Sequence, residues 1–258
     1  MAGTQKTNLI NVLRHAASSS HNARVMLGKV LKRFDGTGKY GPAENQRWID
    51  ANRIDPSVYA KARDPELWGE ALDFGQRLRD RAKPVIDRLP FDIGAGGDYQ
   101  FLYWLTRHLR PAVVVETGVA AGWSSHAFLA AMDVNGAGRL YSSDFPLFRV
   151  ADPVQYVGIL VDDGLKDRWQ LHVDGDEFAL PRIMADLPQV DIFHYDSDKS
   201  RSGRQFAYDL VAPKLTGPLL YDDIQNDSSF RELVERLGRD FTVFVNATEH
   251  TYGLIEPA

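Results

Sequence analysis

Five short strand-like segments alternate with helix-like segments between residues 112 and 223, and this regular alternation constrains the fold more than any other feature of the sequence. The strand-like segments read AVVVET, RLYSSD, WQLHVD, VDIFHYD and GPLLYDD. Strands that alternate with helices form parallel sheets, because each helix carries the chain back across a face of the sheet. We therefore predict an α/β fold with a doubly wound sheet whose ligand sites lie at the carboxyl ends of the strands.

The C-terminal segment departs from this alternation. After a helix predicted over residues 228–237, the segments FTVFVNA and YGLIEP are both strand-like, and only a few residues separate them. Such a short connection permits an antiparallel hairpin but not a helical crossover. The sequence therefore predicts a mostly parallel, seven-stranded sheet with a reversed last strand.

The N-terminal part has a different pattern. Its first 60 residues mix short apolar groups with polar and basic ones, and the segment FDGTGKYGP indicates a loop. From Asp64 to Leu89 the apolar spacing predicts one long helix, with an N-cap and a first-turn proline supplied by Asp64 and Pro65. Another helix is predicted for PVQYVGILVDDG. We expect a helical arm or cap over residues 1–90 and an α/β domain over residues 91–258.

Composition narrows the classes of ligand and partner. The chain has no cysteine, which excludes disulfides, thiolate metal sites and cysteine nucleophiles and makes the cytoplasm the default location. Its 30 basic and 35 acidic side chains give a formal charge of −5, so we expect no nucleic-acid partner. No segment approaches the roughly 20 apolar residues of a membrane span. A small or uncharged substrate is expected.

A glycine-containing turn follows the first strand of the alternating region. The sequence ETGVAAGWSS places Glu116, Gly118 and Gly122 at the junction between this strand and the next helix, where a backbone passes close to a ligand. The turn lacks both the three glycines of a dinucleotide site and the lysine of a phosphate cradle. One alternative is a turn that only packs the helix on the strand.

Two further acids end the next two strands. Asp144 ends LYSSD, where a carboxylate can accept hydrogen bonds from both hydroxyls of a ribose, and Asp176 lies in VDGDEFALP. Each acid alone could be an exposed carboxylate at a strand end. Three acids in order on successive strand ends instead favour one nucleoside-binding site.

This acid–glycine pattern resembles motif I of class I S-adenosylmethionine-dependent methyltransferases, and the segment around Asp176 resembles their Gly-Asp motif. The resemblance covers about Ile93 to Pro257, and the IGAGGD segment matches the loop that approaches the methionine part of the cofactor in relatives. It implies S-adenosylmethionine as cofactor, bound by Glu116, Gly118, Gly122, Ser124, Asp144, Asp176 and Asp98.

Acidic residues also cluster after the fourth and fifth strands of the alternating region. HYDSDKS contains Asp196 and Asp198, and LLYDDIQND contains Asp222 and Asp223. Adjacent parallel strands lie about 5 Å apart, so these carboxylates can converge. A dication that prefers oxygen ligands, such as Mg²⁺, would relieve their repulsion. The alternative is a set of solvated or helix-capping acids in loops.

The acidic segments resemble those of metal-dependent sugar O-methyltransferases of the macrocin and noviose type, and more loosely cephalosporin-hydroxylase-like proteins and catechol methyltransferases. The resemblance implies that Asp196, Asp222 and Asp223 hold Mg²⁺ or Mn²⁺ and that Asp198 is the general base. Lys199 departs from the family pattern, because relatives commonly carry histidine there. Of the histidines, His250 is the most plausible alternative base, ahead of His126 and His194.

The acceptor is less constrained by the sequence. Four aromatic residues of the N-terminal part either cover a sugar or belong to the core or a dimer contact: Tyr40, Trp48, Tyr59 and Trp68. The long arm and the metal motif favour a saccharide or glycosylated metabolite, including a mannoside of a methylated polysaccharide. The alternatives are a catechol or phenolic acceptor and a non-catalytic cofactor-binding protein. We also expect a homodimer, because the arm carries scattered apolar groups.

Overall fold

The structure of the protein, a computed structural model, describes residues 9–32, 35, 36, 38–94 and 96–257. The strands form one sheet in the order β1-β7-β8-β6-β5-β2-β3-β4. Their bounds are Arg53–Ile54 (β1), Val113–Thr117 (β2), Arg139–Ser143 (β3), Trp169–His172 (β4), Ile192–Tyr195 (β5), Leu219–Asp222 (β6), Phe241–Val245 (β7) and Thr251–Ile255 (β8). Only β8 runs antiparallel to its neighbours, β6 and β7. The predicted doubly wound, mostly parallel fold is confirmed.

The sheet has eight strands within the described residues, so the predicted number of seven was wrong. The additional strand, β1, contains only two residues and pairs in parallel with β7 at the edge of the sheet. A two-residue strand has no apolar alternation that a sequence pattern could reveal. The predicted hairpin of β7 and β8 is present.

The strand register brings the residues that follow the strands to one edge. Thr117 of β2 pairs with Tyr195 of β5, and Tyr195 pairs with Tyr221 of β6. Gly118 and Asp196 therefore begin adjacent loops, and Asp222, the last residue of β6, lies beside them. This register explains why acids that are far apart in sequence can share one site.

Ten α-helices surround the sheet in the described part of the chain. Their bounds are Leu9–Ser18 (α1), Ser20–Leu31 (α2), Pro42–Asn52 (α3), Pro56–Arg63 (α4), Pro65–Ile86 (α5), Tyr99–Leu109 (α6), Trp123–Asn135 (α7), Asp176–Asp186 (α8), Arg201–Val211 (α9) and Ser229–Leu237 (α10). The long helix predicted after residue 64 is α5, and the Asp64 carboxylate accepts the predicted capping bond from the Leu67 amide. No helix that the structure describes is long and apolar enough to cross a membrane.

The helix predicted for PVQYVGILVDDG was wrong. Two short 3-10 helices, Pro153–Tyr156 and Asp163–Arg168, are joined there by a turn. The amides of Gly158 and Leu160 donate to the carbonyls of Ala120 and Ala121, both in the glycine turn after β2. Because those donors bond to another loop, they cannot form the ladder of an α-helix.

The core lies on both faces of the sheet. Helices α4 to α7 cover one face, where Tyr59 and Trp68 are buried. On the other face Trp48 stacks on Phe241, and the Tyr40 hydroxyl donates to Glu235. The four N-terminal aromatics thus pack against the protein, which agrees with the core alternative and not with a cover for the acceptor. The division at residues 90 and 91 stays a prediction.

Candidate functional site

A cavity of about 630 Å³ opens at the carboxyl ends of the central strands. Nine of the predicted site residues line it, and they come from six separate segments of the chain. These nine are Gly118, Ser124, Asp144, Asp176, Asp196, Asp198, Asp222, Asp223 and His250. The remaining three predicted residues, Glu116, Gly122 and Asp98, lie behind the wall of the cavity. One cavity therefore joins the predicted cofactor residues to the predicted metal residues.

The glycine turn after β2 brings its backbone against the loop after β5. Gly118 has φ +81°, and a Cβ atom there would collide with the backbone of Asp196. Gly122 has φ +92°, and a Cβ atom there would lie 2.8 Å from the Cα atom of Gly158. Both positions therefore require glycine, and the Gly118 backbone stays uncovered at the cavity wall.

Glu116, in β2, stabilises this turn through hydrogen bonds to serine hydroxyls. Its side chain is fully buried, and its two oxygens accept hydrogen bonds from the hydroxyls of Ser124 at 2.5 Å, Ser125 at 2.6 Å and Ser142 at 2.9 Å. Three hydroxyl donors satisfy a carboxylate that would otherwise be costly to bury. Glu116 thus orients Ser124, which does line the cavity.

Asp144 and Asp176 are held rigidly beside the turn. Asp144 accepts from the backbone amides of Ala120 at 3.0 Å and Phe145 at 2.7 Å. Asp176 accepts from the hydroxyls of Ser143 and Ser197. The two carboxylates follow β3 and β4, so they lie at neighbouring points of the cavity wall, where hydroxyl and amino groups of a ligand can donate to them.

The acidic cluster lies at the opposite side of the cavity. His250 Nε2 lies 2.5 Å from an oxygen of Asp222, and one ligand atom each from Asp222, Asp223 and His250 lie within 4.8 Å of one another. Two carboxylates and an imidazole at this separation suit a divalent ion. This set differs from the predicted one, because it includes His250 in place of Asp196.

Lys199 explains why Asp196 stands apart. Its ammonium pairs with Asp196 and lies 3.1 Å from an oxygen of Asp223, so a cation of the chain already occupies the space between these two acids. The sequence shows Lys199 only as a departure from the family pattern. Its position in the cluster depends on the loop conformation after β5, which no sequence motif indicates.

Burial and the charges within the acidic cluster shift the pKa values of its members. Partial burial and the negative charge of Asp222 raise the pKa of Asp196 to about 7. Burial alone would raise the pKa of Asp222 as well, but its hydrogen bond with His250 and the charge of that ring hold it below the usual range. The same acids raise the pKa of His250 against the effect of burial. Without a metal, Asp196 is therefore the first member of the Asp196–Asp222 pair to take up a proton as the pH falls.

Asp198, the predicted base, lines the cavity between the two sides. One of its oxygens accepts from the Ser200 amide at 3.1 Å, and the other lies 3.0 Å from the ammonium of Lys32. Lys32 also pairs with Glu177 at 2.9 Å. No signal in the sequence identified Lys32, because its role depends on how the N-terminal helices pack on the α/β domain.

Asp98 and two of the histidines considered as bases do not line the cavity. Asp98 caps α6 through the Phe101 amide and accepts from the Tyr252 hydroxyl at 2.9 Å, and burial raises its pKa. His126 is buried against Phe74, where burial and the charge of Arg81 lower its pKa to about 3. His194 is buried beside Glu116. Of the three histidines considered as bases, only His250 reaches the cavity.

Known proteins share this architecture. Residues 115–224 match the family model described as a methyltransferase domain. Solved structures with the same fold include an O-methyltransferase from Bacillus cereus in complex with S-adenosylhomocysteine, with 14% identity and a TM-score of 0.50, covering 81% of this chain and 99% of that one. No curated protein matches the sequence.

Two further structures extend the comparison. TomG from Streptomyces achromogenes, an O-methyltransferase involved in tomaymycin synthesis and solved with S-adenosylmethionine, has 17% identity and a TM-score of 0.51, covering 83% of this chain and 99% of that one. A provisionally named caffeoyl-CoA O-methyltransferase from Staphylococcus aureus has 14% identity and a TM-score of 0.53, covering 73% and 98%. The chain has the Rossmann-like fold of these methyltransferases, and its residues 115–224 match a methyltransferase domain.

Proposed function

We propose that this protein transfers a methyl group from S-adenosylmethionine to a hydroxyl of a saccharide or glycosylated metabolite, with a divalent metal at the acidic cluster. One observation carries the proposal. The glycine turn with Asp144 and Asp176 and the cluster around Asp222 face the same cavity, so a methyl donor and a hydroxyl acceptor can meet there.

The chain's own residues account for binding of the methyl donor. The exposed backbone at Gly118 admits the donor close to the end of β2, while Asp144 accepts from its ribose hydroxyls and Asp176 from its adenine amino group. Hydrogen bonds from backbone amides and serine hydroxyls already fix both carboxylates. Such preorganised acceptors lose little conformational freedom when the donor binds.

The transfer needs a proton acceptor as well as alignment. The bond from sulfur to the methyl carbon breaks as the acceptor oxygen bonds to that carbon, and S-adenosylhomocysteine leaves as the product. The hydroxyl proton passes to the carboxylate of Asp198, which lies at the cavity wall. His250 is the alternative base, but its pairing with Asp222 favours a role in the acidic cluster.

The acidic cluster fits a divalent metal through Asp222, Asp223 and His250. When bound, Mg²⁺ or Mn²⁺ lowers the pKa of a coordinated hydroxyl and stabilises the developing alkoxide. Asp196 can join the set only when the Lys199 ammonium gives up its pairing with that carboxylate. Asp222 and Asp223 are therefore the proposed core ligands.

The charges of the cavity favour an uncharged acceptor. Its described wall contains eight carboxylates and one lysine, Lys32, in addition to His250. An acceptor with carboxylate or phosphate groups would be repelled by this wall, whereas sugar hydroxyls can donate hydrogen bonds to it. The negative charge of the wall favours a neutral saccharide over an anionic thioester and leaves a neutral phenol as the second candidate.

Calorimetry and a methyl-transfer assay test the proposal together. We expect S-adenosylhomocysteine to bind with micromolar affinity. We expect label from S-adenosylmethionine to pass to a neutral sugar in a panel of saccharides and phenols. Chelation with EDTA should abolish this turnover, and added Mg²⁺ or Mn²⁺ should restore it.

Each component of the proposal has its own contrary result. Full turnover in EDTA would contradict the metal. Methyl transfer to phenols alone would show that the acceptor is a phenol and not a saccharide. Cofactor binding without transfer to any member of the panel would favour a non-catalytic protein, and no binding of either adenosyl compound would refute the cofactor site.

A further inference from the structure

The N-terminal arm supplies part of the cavity wall. Val25 of α2 and Lys32, which directly follows that helix, both line the cavity, although the residues that form the rest of the site all lie beyond residue 90. Val25 is only 7% exposed. The cavity of the α/β domain would therefore be incomplete without this helix.

One face of α2 makes these contacts. His21, Val25, Gly28 and Lys32 follow the spacing i, i+4, i+7 and i+11, which places them along a single stripe of a helix. The ring nitrogen of His21 is 2.8 Å from the Asp174 carbonyl oxygen, and its ring packs on Phe178.

Further along the same stripe, α2 lies close to the loop after β4. A Cβ atom at Gly175 would be 3.4 Å from Val25, and one at Gly28 would be 3.6 Å from a Glu177 oxygen. Gly175 and Glu177 flank Asp176, the residue proposed to contact the adenine. The stripe therefore lies directly over the adenosine end of the cavity.

Lys32 links the two ends of the site. Its ammonium lies 2.9 Å from Glu177, beside the cofactor residue Asp176, and 3.0 Å from Asp198, the proposed base. All three side chains are partly buried, with exposed fractions of 21% for Lys32, 37% for Glu177 and 21% for Asp198. The second oxygen of Asp198 is held by the Ser200 amide, so Lys32 completes the fixation of this carboxylate.

We propose that α2 is a wall of the cofactor site that closes on the bound adenosyl group, and that Lys32 is the positioning residue that joins this wall to the cofactor side and to Asp198. The inference rests on the proposed function, because it takes an adenosyl compound as the ligand. In physical terms, the bound ligand fills the space under Val25 and stabilises the docked helix, and the docked helix in turn slows release of the ligand.

Hydrogen–deuterium exchange and calorimetry with S-adenosylhomocysteine test this inference on the full chain. Saturating ligand should slow exchange of the amides of residues 20–32 severalfold in the unmodified protein. Lys32→Met should abolish most of this protection and raise the Kd by about threefold to fivefold, as expected for the loss of a partly buried ion pair. Lys32→Arg should restore both values. Lys61→Met, at an exposed position of α4, is the matched control and should change neither.

The possible results separate this inference from the proposed function. If the ligand binds but exchange over residues 20–32 is unchanged, or if Lys32→Met binds it as tightly as the unmodified protein, α2 is not a wall that responds to the cofactor. If the unmodified protein gives no heat with the ligand, the proposed function fails and this inference fails with it.

Discussion

Individual carboxylates of the cluster have different surroundings, and these differences predict different effects of substitution. Asp222 and Asp223 contribute ligand atoms to the candidate metal set, whereas Asp198 is held by Lys32 and Ser200 outside it. Asp222→Ala or Asp223→Ala should therefore weaken metal binding, and high Mg²⁺ should recover part of the activity. Asp198→Asn should lower the rate by about 10²- to 10⁴-fold, the usual effect of losing a general base, and metal should not rescue it.

Steady-state assays across a range of Mg²⁺ concentrations measure both effects. If Asp198→Asn turns over at a near-normal rate, His250 is the base instead. If the activity of Asp222→Ala does not depend on the Mg²⁺ concentration, Asp222 is not a metal ligand. Asp209→Asn is a matched control, because Asp209 lies on the far part of α9 and bonds Gln205 on the same helix.

Asp196 should make stability depend on pH in a chelator. The unfolded chain releases this proton near the ordinary pKa of 3.8, whereas the folded protein keeps it until about pH 7. Between these values the folded state binds more protons, so raising the pH weakens it. Asp196→Asn cannot ionise, and its loss of unfolding free energy from pH 5 to pH 8 should be smaller by about 2–3 kcal/mol. Urea unfolding at pH 5 and pH 8 measures the free energy of unfolding of both proteins. Equal losses in the unmodified protein and in Asp196→Asn would show that another group takes up the proton.

At the scale of single elements, the glycine turn after β2 offers a test of close packing. Gly118 has φ +81° and Gly136, the C-cap of α7, has φ +71°, but only Gly118 faces backbone atoms that a Cβ would strike. Gly136→Ala should cost about 1 kcal/mol, from the strained backbone alone. Gly118→Ala should cost at least about 2 kcal/mol more, because β2 and the loop after β5 must move apart. Chemical denaturation compares them, and equal costs would show that the turn tolerates a side chain.

Elements with strong repeating patterns were predictable from the sequence. The strands β2 to β8 have apolar runs, and α5 has both a helical period and the Asp64 cap. The segment 153–164 was not predictable, because the amides of Gly158 and Leu160 bond to the glycine turn and not to their own segment. The helices α1 to α4 were missed as separate elements, since their positions depend on packing against other elements, as α3 does on β7 and α4 on α6.

The predicted site was found only in part for the same reason. Acids at strand ends must converge in a parallel sheet, so Asp196, Asp222 and their neighbours were predictable. The directions of side chains are set by tertiary packing. The burial of Glu116 and the positions of Lys199 and Lys32 could therefore not be read from spacing.

At the scale of the whole molecule, self-association stays a prediction. Ile10, Leu13 and Leu27 of the arm are 67%, 68% and 59% exposed, and burying such side chains is favourable. We expect a dimer at micromolar concentration by light scattering, and a shift toward monomer in a Leu13→Glu, Leu27→Glu double variant. A monomeric mass for the unmodified protein would remove the dimer and leave the chemistry unaffected.

The position of β8 imposes an order on the assembly of the sheet during synthesis. This strand lies between β6 and β7, although both precede it in the chain, and β1 pairs with β7 alone. During synthesis β7 cannot join the sheet until β8 leaves the ribosome and pairs with both β6 and β7. Since β1 pairs with β7, it can join the sheet only after that step. His250 enters the acidic cluster on this same hairpin. A nascent chain that stops before residue 251 therefore exposes the open edge of β6 to other strands, and such an edge promotes aggregation until the insertion occurs.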